Sequence, residues 1–190
     1  MNTHVALLRG INVGGHGILP MKELRALLED LGLANVKTYL QSGNAVFQCR
    51  AKDARRLERK IGKAIRESRG FAPEILVLSL AELRSAVEAN PFPAGEDDPK
   101  TLHLFFLKSR PENPDLARLE SLRARSEEFK LTESVFYLHA PEGIGRSKLA
   151  VKVEKALGVP GTGRNWRSVC AILAMARESA DNSPNPEGKQ

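Results

Sequence analysis

The sequence is poor in cysteine, and it has no long hydrophobic run. Its two cysteines, Cys49 and Cys170, lie far apart and form no CxxC pair, which argues against a disulfide-stabilised domain. No apolar stretch approaches the roughly 20 residues that span a bilayer. The N-terminus shows no basic region followed by a long apolar stretch, so we expect no secretory signal. Together these absences favour a reduced, cytoplasmic protein with no membrane partner.

Signatures of common catalytic and cofactor sites are also missing. The sequence contains no GxGxxG, GxxxxGKS/T, GxSxG or HExxH pattern. Aromatic residues make up 5% of the chain, and the RNP1 pattern of RNA-binding plaits is absent. The four histidines have no metal-ligand spacing: His4, His16, His103 and His139. We therefore expect no metal and no cofactor, and we expect His103 and His139 to be structural.

Positive charge is concentrated in one segment. The formal net charge is +6, and residues 50–69 carry nine Lys or Arg against three acids. The rest of the chain is balanced, with 20 basic and 20 acidic residues. A helix predicted over 53–68, capped by Asp53, would carry one basic stripe: Lys52, Arg56, Arg59, Lys63 and Arg66. Such a stripe suits a phosphate backbone, although a solvated helix face explains it as well.

The order of predicted elements indicates an α/β (α+β) protein with two related halves. The first half is predicted as β-α-β-β-α-β, the split βαβ plan of ferredoxin-like domains. The second half is predicted as β-α-β-β-α without a clear fourth strand, and a helix follows that ends near Arg177. We expect two ferredoxin-like α/β-plait halves with antiparallel sheets. The expected divisions are a first plait (1–80), a helix and linker (81–100), a second plait-like domain with the C-terminal helix (101–178), and a disordered tail (179–190).

Three glycine-containing turns carry the candidate ligand site. The turn at 9–17 follows the first strand, and its backbone amides could cradle a phosphate or carboxylate. The turn at 143–148 is predicted to open a helix over about 147–157, where basic residues are unfavourable unless an anion or an acid compensates. The turn at 162–167 opens the C-terminal helix. The predicted ligand-binding residues are Arg9, Asn12, Gly14, Gly15, Arg146, Lys148, Arg164 and Asn165.

Each turn also has a structural explanation. A tight strand-to-helix turn requires glycine whether or not it binds a ligand. The arginines could likewise be paired with carboxylates, as Arg146 could be with Glu142. Trp166, the single tryptophan, could stack on a base or pack in the core, and we expect it in the core. If at least two of the three turns face one pocket, that pocket should attract an anion.

Several runs of residues together resemble a bacterial family, domain of unknown function 1697. They are Ala6–Gly15 (ALLRGINVGG), Thr38–Asn44 (TYLQSGN), Ala89–Phe92 (ANPF), Tyr137–Leu149 (YLHAPEGIGRSKL) and Arg164–Arg167 (RNWR). The resemblance covers roughly residues 4–177. It implies a fold of two α/β plaits of ferredoxin-like type, and it brings no established activity, cofactor or catalytic residue. His16 stands where family members often carry lysine or another polar residue.

Three kinds of function fit these features. The leading hypothesis is a binder of a phosphate-bearing ligand, either a nucleotide or a nucleic acid. The second is an enzyme that acts on a phosphorylated or carboxylated small molecule, with Arg9, Arg146, Lys148 and Arg164 as electrophilic clamps. The third is a protein-interaction module whose glycine turns are purely structural. The sequence alone leaves catalysis and oligomeric state open.

Overall fold

The computed structural model describes residues 1–182, which divide into two compact units. Unit 1 comprises Met1–Ser85 together with the chain from Ala171 onward, and unit 2 comprises Ala86–Cys170. Each unit contains a four-stranded antiparallel sheet. The predicted α+β architecture with two antiparallel sheets is therefore confirmed.

Unit 1 follows the predicted β-α-β-β-α-β order and continues into a further helix. Its elements are β1 (Asn2–Arg9), α1 (Met21–Asp30), β2 (Ala34–Tyr39), β3 (Asn44–Cys49), α2 (Ala54–Arg69), β4 (Glu74–Ser79) and the first part of α3 (Leu80–Glu88), which crosses the division after Ser85. The strand order across the sheet is β2-β3-β1-β4. This order arises because each crossover helix returns the chain past one strand, which leaves every neighbouring pair antiparallel.

Helices α1 and α2 cover one face of the first sheet. Their apolar residues recur three or four positions apart, so they lie on one side of each helix. The buried residues are Leu24 and Leu28 of α1, and Leu57, Ile61 and Ile65 of α2. They pack on Ala6, Leu8 and Phe47 of the sheet, which alternate with residues that face the opposite side.

Unit 2 has the same strand order as unit 1. Its elements are α4 (Ala94–Asp97), β5 (Leu102–Leu107), α5 (Leu116–Leu122), β6 (Glu128–Leu131), β7 (Val135–His139), 3-10 turns at Ile144–Arg146 and Ala150–Lys152, α6 (Val153–Leu157) and β8 (Gly161–Asn165). Helix α7 (Trp166–Asp181) follows, and the division between the units falls within it. The sheet order β6-β7-β5-β8 places β5 between β7 and β8.

The fourth strand of unit 2 corrects the sequence prediction, which found none. Strand β8 pairs antiparallel with β5, with Arg164 opposite Leu104 and Gly163 opposite Phe105. A Cβ atom on Gly163 would lie 3.1 Å from the Phe105 ring. The strand therefore exists through its pairing with β5, and its glycines make room for the neighbouring side chains although they lower its intrinsic strand propensity.

The C-terminal helix extends beyond its predicted end near Arg177. Helix α7 continues to Asp181, so the start of the predicted disordered tail at 179 is helical. The rest of that predicted tail, 183–190, lies outside the described residues. The Gln48 side-chain amide donates a hydrogen bond to the Ser179 carbonyl at 2.5 Å, which attaches this end of α7 to the first sheet.

Candidate functional site

The first glycine turn is a closed loop whose geometry is set by its own backbone. Asn12, Gly14 and Gly15 all have positive φ angles of 53°, 58° and 78°. Val13 and His16 form a short antiparallel bridge, and the Asn12 amide donates to the Gly17 carbonyl at 3.0 Å. Gly14 and Gly15 are exposed at the tip. These positive φ values explain the glycines without any ligand.

Asn12 holds this loop in place through its side chain. The side-chain amide donates to the carbonyls of Leu19 and Gln41, both at 2.9 Å. Its oxygen accepts a hydrogen bond from the Leu19 amide at 2.8 Å. Both amide hydrogens are thus used within the protein. Asn12 therefore joins the β1–α1 loop to the turn between β2 and β3, and it has no hydrogen left to donate to an anion.

Arg9 lies at the end of β1, opposite an acidic residue. Its register partner on β4 is Glu74. Side chains at paired positions share one face of the sheet, and opposite charges there attract each other. The charge of Arg9 therefore has a carboxylate beside it. This agrees with the alternative in which the first glycine turn is structural and its arginine is paired with an acid.

The second glycine turn does not open an α-helix, so that part of the prediction is wrong. Ile144–Arg146 and Ala150–Lys152 form two separate 3-10 turns, and α6 begins only at Val153. The Ser147 hydroxyl accepts from the Ala150 amide at 3.0 Å and closes the second of these turns. The argument that a helix dipole repels the basic residues here consequently does not hold.

The two cations of this turn nevertheless face solvent. Arg146 and Lys148 are exposed, and across residues 1–182 neither has an ion-pair partner. The Glu142 carboxylate, which could have compensated them, accepts a hydrogen bond from the Ser126 hydroxyl at 2.8 Å. Arg146 and Lys148 are therefore available to a ligand at the surface.

The third glycine turn is part strand and part helix cap. Arg164 is half-buried on β8, and its guanidinium donates to the Gly163 carbonyl at 2.9 Å. Burial lowers the pKa of Arg164 to about 10, so the side chain is still charged at neutral pH. The Asn165 oxygen accepts from the Ser168 amide at 2.9 Å, which is an N-cap interaction for α7. Trp166 is 6% exposed, which confirms its predicted place in the core.

Unit 2 brings two of the three turns to one end of its sheet. His139 at the end of β7 pairs with Leu102, and Asn165 at the end of β8 pairs with His103. Strands β7 and β8 flank β5, so their ends are about two strand spacings, or roughly 10 Å, apart. The turn that holds Arg9 and Asn12 belongs to unit 1, and a pocket shared by all three turns stays a prediction.

The predicted basic helix is confirmed as α2, and its charges lie on one side. Lys52, which was predicted to belong to the basic stripe, precedes the helix, and Arg55 lies in the stripe instead. Asp53 caps it, and the carboxylate accepts from the Arg56 amide at 3.0 Å. At 3.6 residues per turn, five cations fall within an arc of about 100°. They are Arg55, Arg56, Arg59, Lys63 and Arg66. This cationic arc lies diametrically opposite the buried side chains of the helix, and all five residues are exposed.

Most of the cationic arc has no internal partner. Lys63 forms an exposed i,i+4 ion pair with Glu67 at 3.6 Å. No hydrogen bond or ion pair within the described chain engages the guanidinium groups of the other four arc residues. By contrast, the two cations at the edges of the arc have partners. Lys60 donates to the Leu31 carbonyl, and Arg69 forms an ion pair with Glu23. The unpaired positive charge is thus concentrated on the face that points away from the core.

A cavity in unit 1 is a feature that the sequence analysis missed. It has a volume of about 500 Å³, and Lys52 and Arg84 are among the residues that line it. It lies where β1 begins and β4 ends, because Thr3 and Ser79 also contribute to its wall. Residues this far apart in sequence carry no common motif, so only the sheet pairing reveals that they share a cavity.

His103, His139 and the two cysteines lie in partly or fully buried positions. His103 is partly buried, and this burial lowers its pKa; His139 stacks on Phe92 with ring centroids 6.2 Å apart. Burial raises the pKa of both thiols, Cys49 and Cys170, which makes them poor nucleophiles at neutral pH. Among residues 1–182, no group of three His, Cys, Asp or Glu side chains has the arrangement of a metal site.

The fold and surface define a two-plait α/β protein with an exposed basic helix in its first plait. The chain belongs to the family described as Protein of unknown function (DUF1697), whose profile matches residues 1–137. It is also similar to the solved structure of a conserved bacterial protein from Streptococcus pneumoniae, at 26% sequence identity and a TM-score of 0.70. That similarity covers 92% of this chain and 98% of the other. No curated protein matches the chain.

No helix within residues 1–182 is both long enough and apolar enough to cross a membrane.

Proposed function

We propose that the protein binds nucleic acid in the cytoplasm and that the cationic arc of α2 contacts the phosphate backbone. The observation that carries this proposal is the arc itself, an exposed set of cations opposite the buried face of the helix. Arginine predominates in it, and arginine suits bidentate contact with phosphate oxygens. Among the phosphate-binding candidates the arc carries the most exposed charge, and four of its five cations have no internal partner within residues 1–182.

The energetics of the helix support a polyanionic ligand. Arg59 lies three or four positions from Arg55, Arg56 and Lys63, so it has like charges on both sides. Each such pair destabilises a helix by roughly 0.2–0.5 kcal/mol. A bound polyanion would relieve this repulsion, whereas an ordinary solvated face usually mixes both signs of charge.

The dimensions also suit a nucleic-acid strand. The 16 residues of α2 extend over about 24 Å. One strand of a duplex presents about seven phosphates over that length. The exposed Arg146 and Lys148 are proposed as additional cationic contacts, whereas the hydrogen bonds of Asn12 and Asn165 favour a structural role for those two side chains.

Fluorescence anisotropy with a labelled single strand and a labelled duplex tests the proposal. The association constant should fall steeply between 50 and 200 mM salt, with a log–log slope of about −3 to −5 if four or five phosphates are contacted. The triple variant Arg56→Glu, Arg59→Glu, Lys63→Glu should weaken binding by about 100-fold or more at the lower salt concentration. Its free energy of unfolding should change little because all three side chains are exposed.

A charge-matched variant separates the arc from net charge. Lys22→Glu, Lys100→Glu, Lys130→Glu reverses three scattered, exposed lysines and also lowers the net charge from +6 to zero. We expect this control to retain most of the affinity. Equal losses in the two variants, or no binding by the native protein at 50 mM salt, would reject α2 as the interface and would favour the protein-interaction alternative.

A further inference from the structure

A second cavity lies within unit 2, where the start of α5 meets the segment that leads into α6. It has a volume of about 240 Å³, and its lining residues are Asp115, Arg118, Lys152, Lys155 and Ala156. Three of these five residues are cations and one is a carboxylate, so the lining has a net charge of three minus one, or +2. Ala156 is the single apolar residue that the described chain contributes to it.

Hydrogen bonds bring the lining residues together. The Asp115 amide donates to the Ala156 carbonyl at 2.8 Å, which joins the start of α5 to α6. The Asp115 carboxylate accepts from the Arg118 amide at 2.9 Å, so Arg118 lies directly beside this junction. Lys152 and Lys155 are three positions apart at the start of α6, a spacing that places Cβ atoms about 5–6 Å from each other. The three cations are therefore held around one small space.

None of these cations is neutralised within residues 1–182. Arg118, Lys152 and Lys155 are exposed, and no hydrogen bond or ion pair of their side chains occurs in that part of the chain. The Asp115 carboxylate uses one oxygen to cap α5, and its other oxygen has no hydrogen-bond partner among the described residues. The cavity therefore offers three cationic donors and one carboxylate oxygen that can accept.

This combination of charges selects a phosphomonoester. Like charges brought together repel each other unless a negative charge lies among them. A terminal phosphate carries a charge of about −1.5 to −2 at neutral pH, which matches the net charge of the lining. Its oxygens can also accept charge-assisted hydrogen bonds from all three cations. An internal phosphodiester carries only about −1 and would leave part of the positive charge uncompensated.

The other features of the cavity select the group that carries the phosphate. An ionised carboxylate accepts hydrogen bonds and donates none, so the second oxygen of Asp115 favours a hydroxyl group on the ligand. One alanine provides little surface for a nucleobase or an acyl chain, because sites for such groups are lined mostly by apolar side chains. The volume also lies below the roughly 300–1,000 Å³ of sites for drug-sized ligands. A small, hydroxyl-bearing body fits these constraints.

We propose that this cavity binds a phosphorylated sugar, with Arg118, Lys152 and Lys155 contacting the phosphate and Asp115 accepting a hydrogen bond from a sugar hydroxyl. The proposal goes beyond the binding of nucleic acid by α2, because the cavity belongs to unit 2 and α2 belongs to unit 1. The ligand is a small free molecule in place of a polyanionic strand, so either proposal can fail without the other.

Titration with ribose 5-phosphate at low salt, followed by calorimetry and by amide NMR shifts, tests the site. Shifts should concentrate at Asp115, Arg118 and Ala156, which line the cavity. Lys155→Gln should weaken binding by about tenfold or more, the usual loss for a hydrogen bond to a charged group. Arg118→Gln should do the same, which gives a second variant in case one of them perturbs the fold. Ribose, which lacks the phosphate, should also bind at least about tenfold more weakly.

Lys130→Gln is the matched control, since it removes one exposed lysine of unit 2 that does not line the cavity. It should leave the affinity for ribose 5-phosphate unchanged. The proposal is overturned if ribose binds as well as its phosphate, if Lys130→Gln and Lys155→Gln lose affinity equally, or if shifts are absent at millimolar ribose 5-phosphate.

Inorganic phosphate and the variant Asp115→Asn test the contact to the sugar. The native protein should bind ribose 5-phosphate more tightly than inorganic phosphate, because only the sugar offers hydroxyl groups to Asp115. Asparagine keeps a capping oxygen for α5 but removes the negative charge. Asp115→Asn should therefore bind inorganic phosphate more tightly than the native protein does and should prefer the sugar phosphate less. Equal affinities of the native protein for the two ligands would overturn the assignment of a phosphorylated sugar.

A last arm separates this cavity from the cationic arc of α2. The variant Arg56→Glu, Arg59→Glu, Lys63→Glu should keep its affinity for ribose 5-phosphate while it loses nucleic acid. Loss of ribose 5-phosphate binding in that variant would overturn the cavity proposal. Failure of nucleic-acid binding alone would reject the arc as an interface and would leave the cavity proposal standing.

Discussion

Asn12 shows how one side chain can hold the backbone of a loop in place. It adopts a positive φ of 53°, and its side chain makes three hydrogen bonds to the backbone at Leu19 and Gln41. We expect Asn12→Ala to lower the free energy of unfolding by about 2–3 kcal/mol, because it leaves backbone groups without partners and strains the left-handed conformation. Urea denaturation measures this change.

Asn12→Gly separates the two contributions to that loss. Glycine adopts the positive φ without strain, so this variant loses only the side-chain hydrogen bonds. It should be less destabilised than Asn12→Ala. If both variants are as stable as the native protein, the side-chain hydrogen bonds do not hold the loop.

Tyr137 is a buried phenol whose titration should appear in the pH dependence of stability. It is 1% exposed, and its hydroxyl donates to the Ala86 carbonyl at 2.8 Å. Burial raises its pKa from 10.0 to about 12. The unfolded state therefore releases the proton first, and the free energy of unfolding should fall by about 1.4 kcal/mol per pH unit as the pH rises from 10 towards 12. Below pH 10 this contribution is fully present.

Tyr137→Phe is the control for this effect. The difference in unfolding free energy between the native protein and the variant should be constant below pH 10, at about 1–2 kcal/mol for the lost hydrogen bond. Above pH 10 the difference should shrink. A difference that stays constant up to pH 12 would show that the phenol titrates alike in both states.

At the scale of single elements, α2 depends on its cap more than an ordinary helix does. Two arginines, Arg55 and Arg56, lie in its first turn, where positive charge opposes the helix dipole, and no acid stands there besides the cap Asp53. We expect Asp53→Ala to lower the free energy of unfolding by about 1–2 kcal/mol. Urea denaturation at low salt measures the change, because salt screens the dipole interaction.

The companion variant Asp53→Asn retains a good capping oxygen but removes the negative charge. Its free energy of unfolding should fall by less than that of Asp53→Ala, and this decrease should become smaller as salt is added. Equal losses in both variants would show that charge, and not the capping hydrogen bond, is what the helix requires.

At the scale of the whole molecule, each unit is a complete β-α-β-β-α-β plait with its own apolar core. Stability in such a plan comes from helices packed on a sheet, and neither core includes a group of potential metal ligands among residues 1–182. We expect elemental analysis of purified protein to find no stoichiometric zinc or iron, and EDTA to leave the Tm unchanged. A metal at full occupancy with protein ligands would contradict this.

The fold could be predicted from the sequence wherever local pattern and tertiary structure agree. Leucine and isoleucine at three- and four-residue spacing predicted α1 and α2, because the same period places side chains on one face of a helix and in the core. In unit 2 the apolar residues Leu149, Val153 and Leu157, spaced four positions apart, are buried, although 3-10 turns form part of that segment. The apolar spacing therefore indicates which side chains are buried, whereas it does not distinguish an α-helix from 3-10 turns.

The candidate site could be predicted only in part. The sequence determined the chemical character of each residue, and it located the basic helix because all of its charges lie in one short segment. Tertiary structure decided which donors remain available: Asn12 is occupied by Leu19 and Gln41, and Arg9 lies opposite Glu74. Gln41 lies 29 residues from Asn12, and Glu74 is farther still from Arg9, so these partners leave no trace in a local motif.

The sequence by itself determined the family, the α+β class and the placement of charge, since these follow from composition, periodicity and motifs. Only the tertiary structure decided the existence of β8 and of the cavity beside Lys52 and Arg84. Strand β8 forms because β5 offers an edge on which glycine fits against Phe105. The cavity forms because sheet pairing brings the start of β1 beside the end of β4. Both depend on contacts between residues distant in the chain, which local physical preferences do not encode.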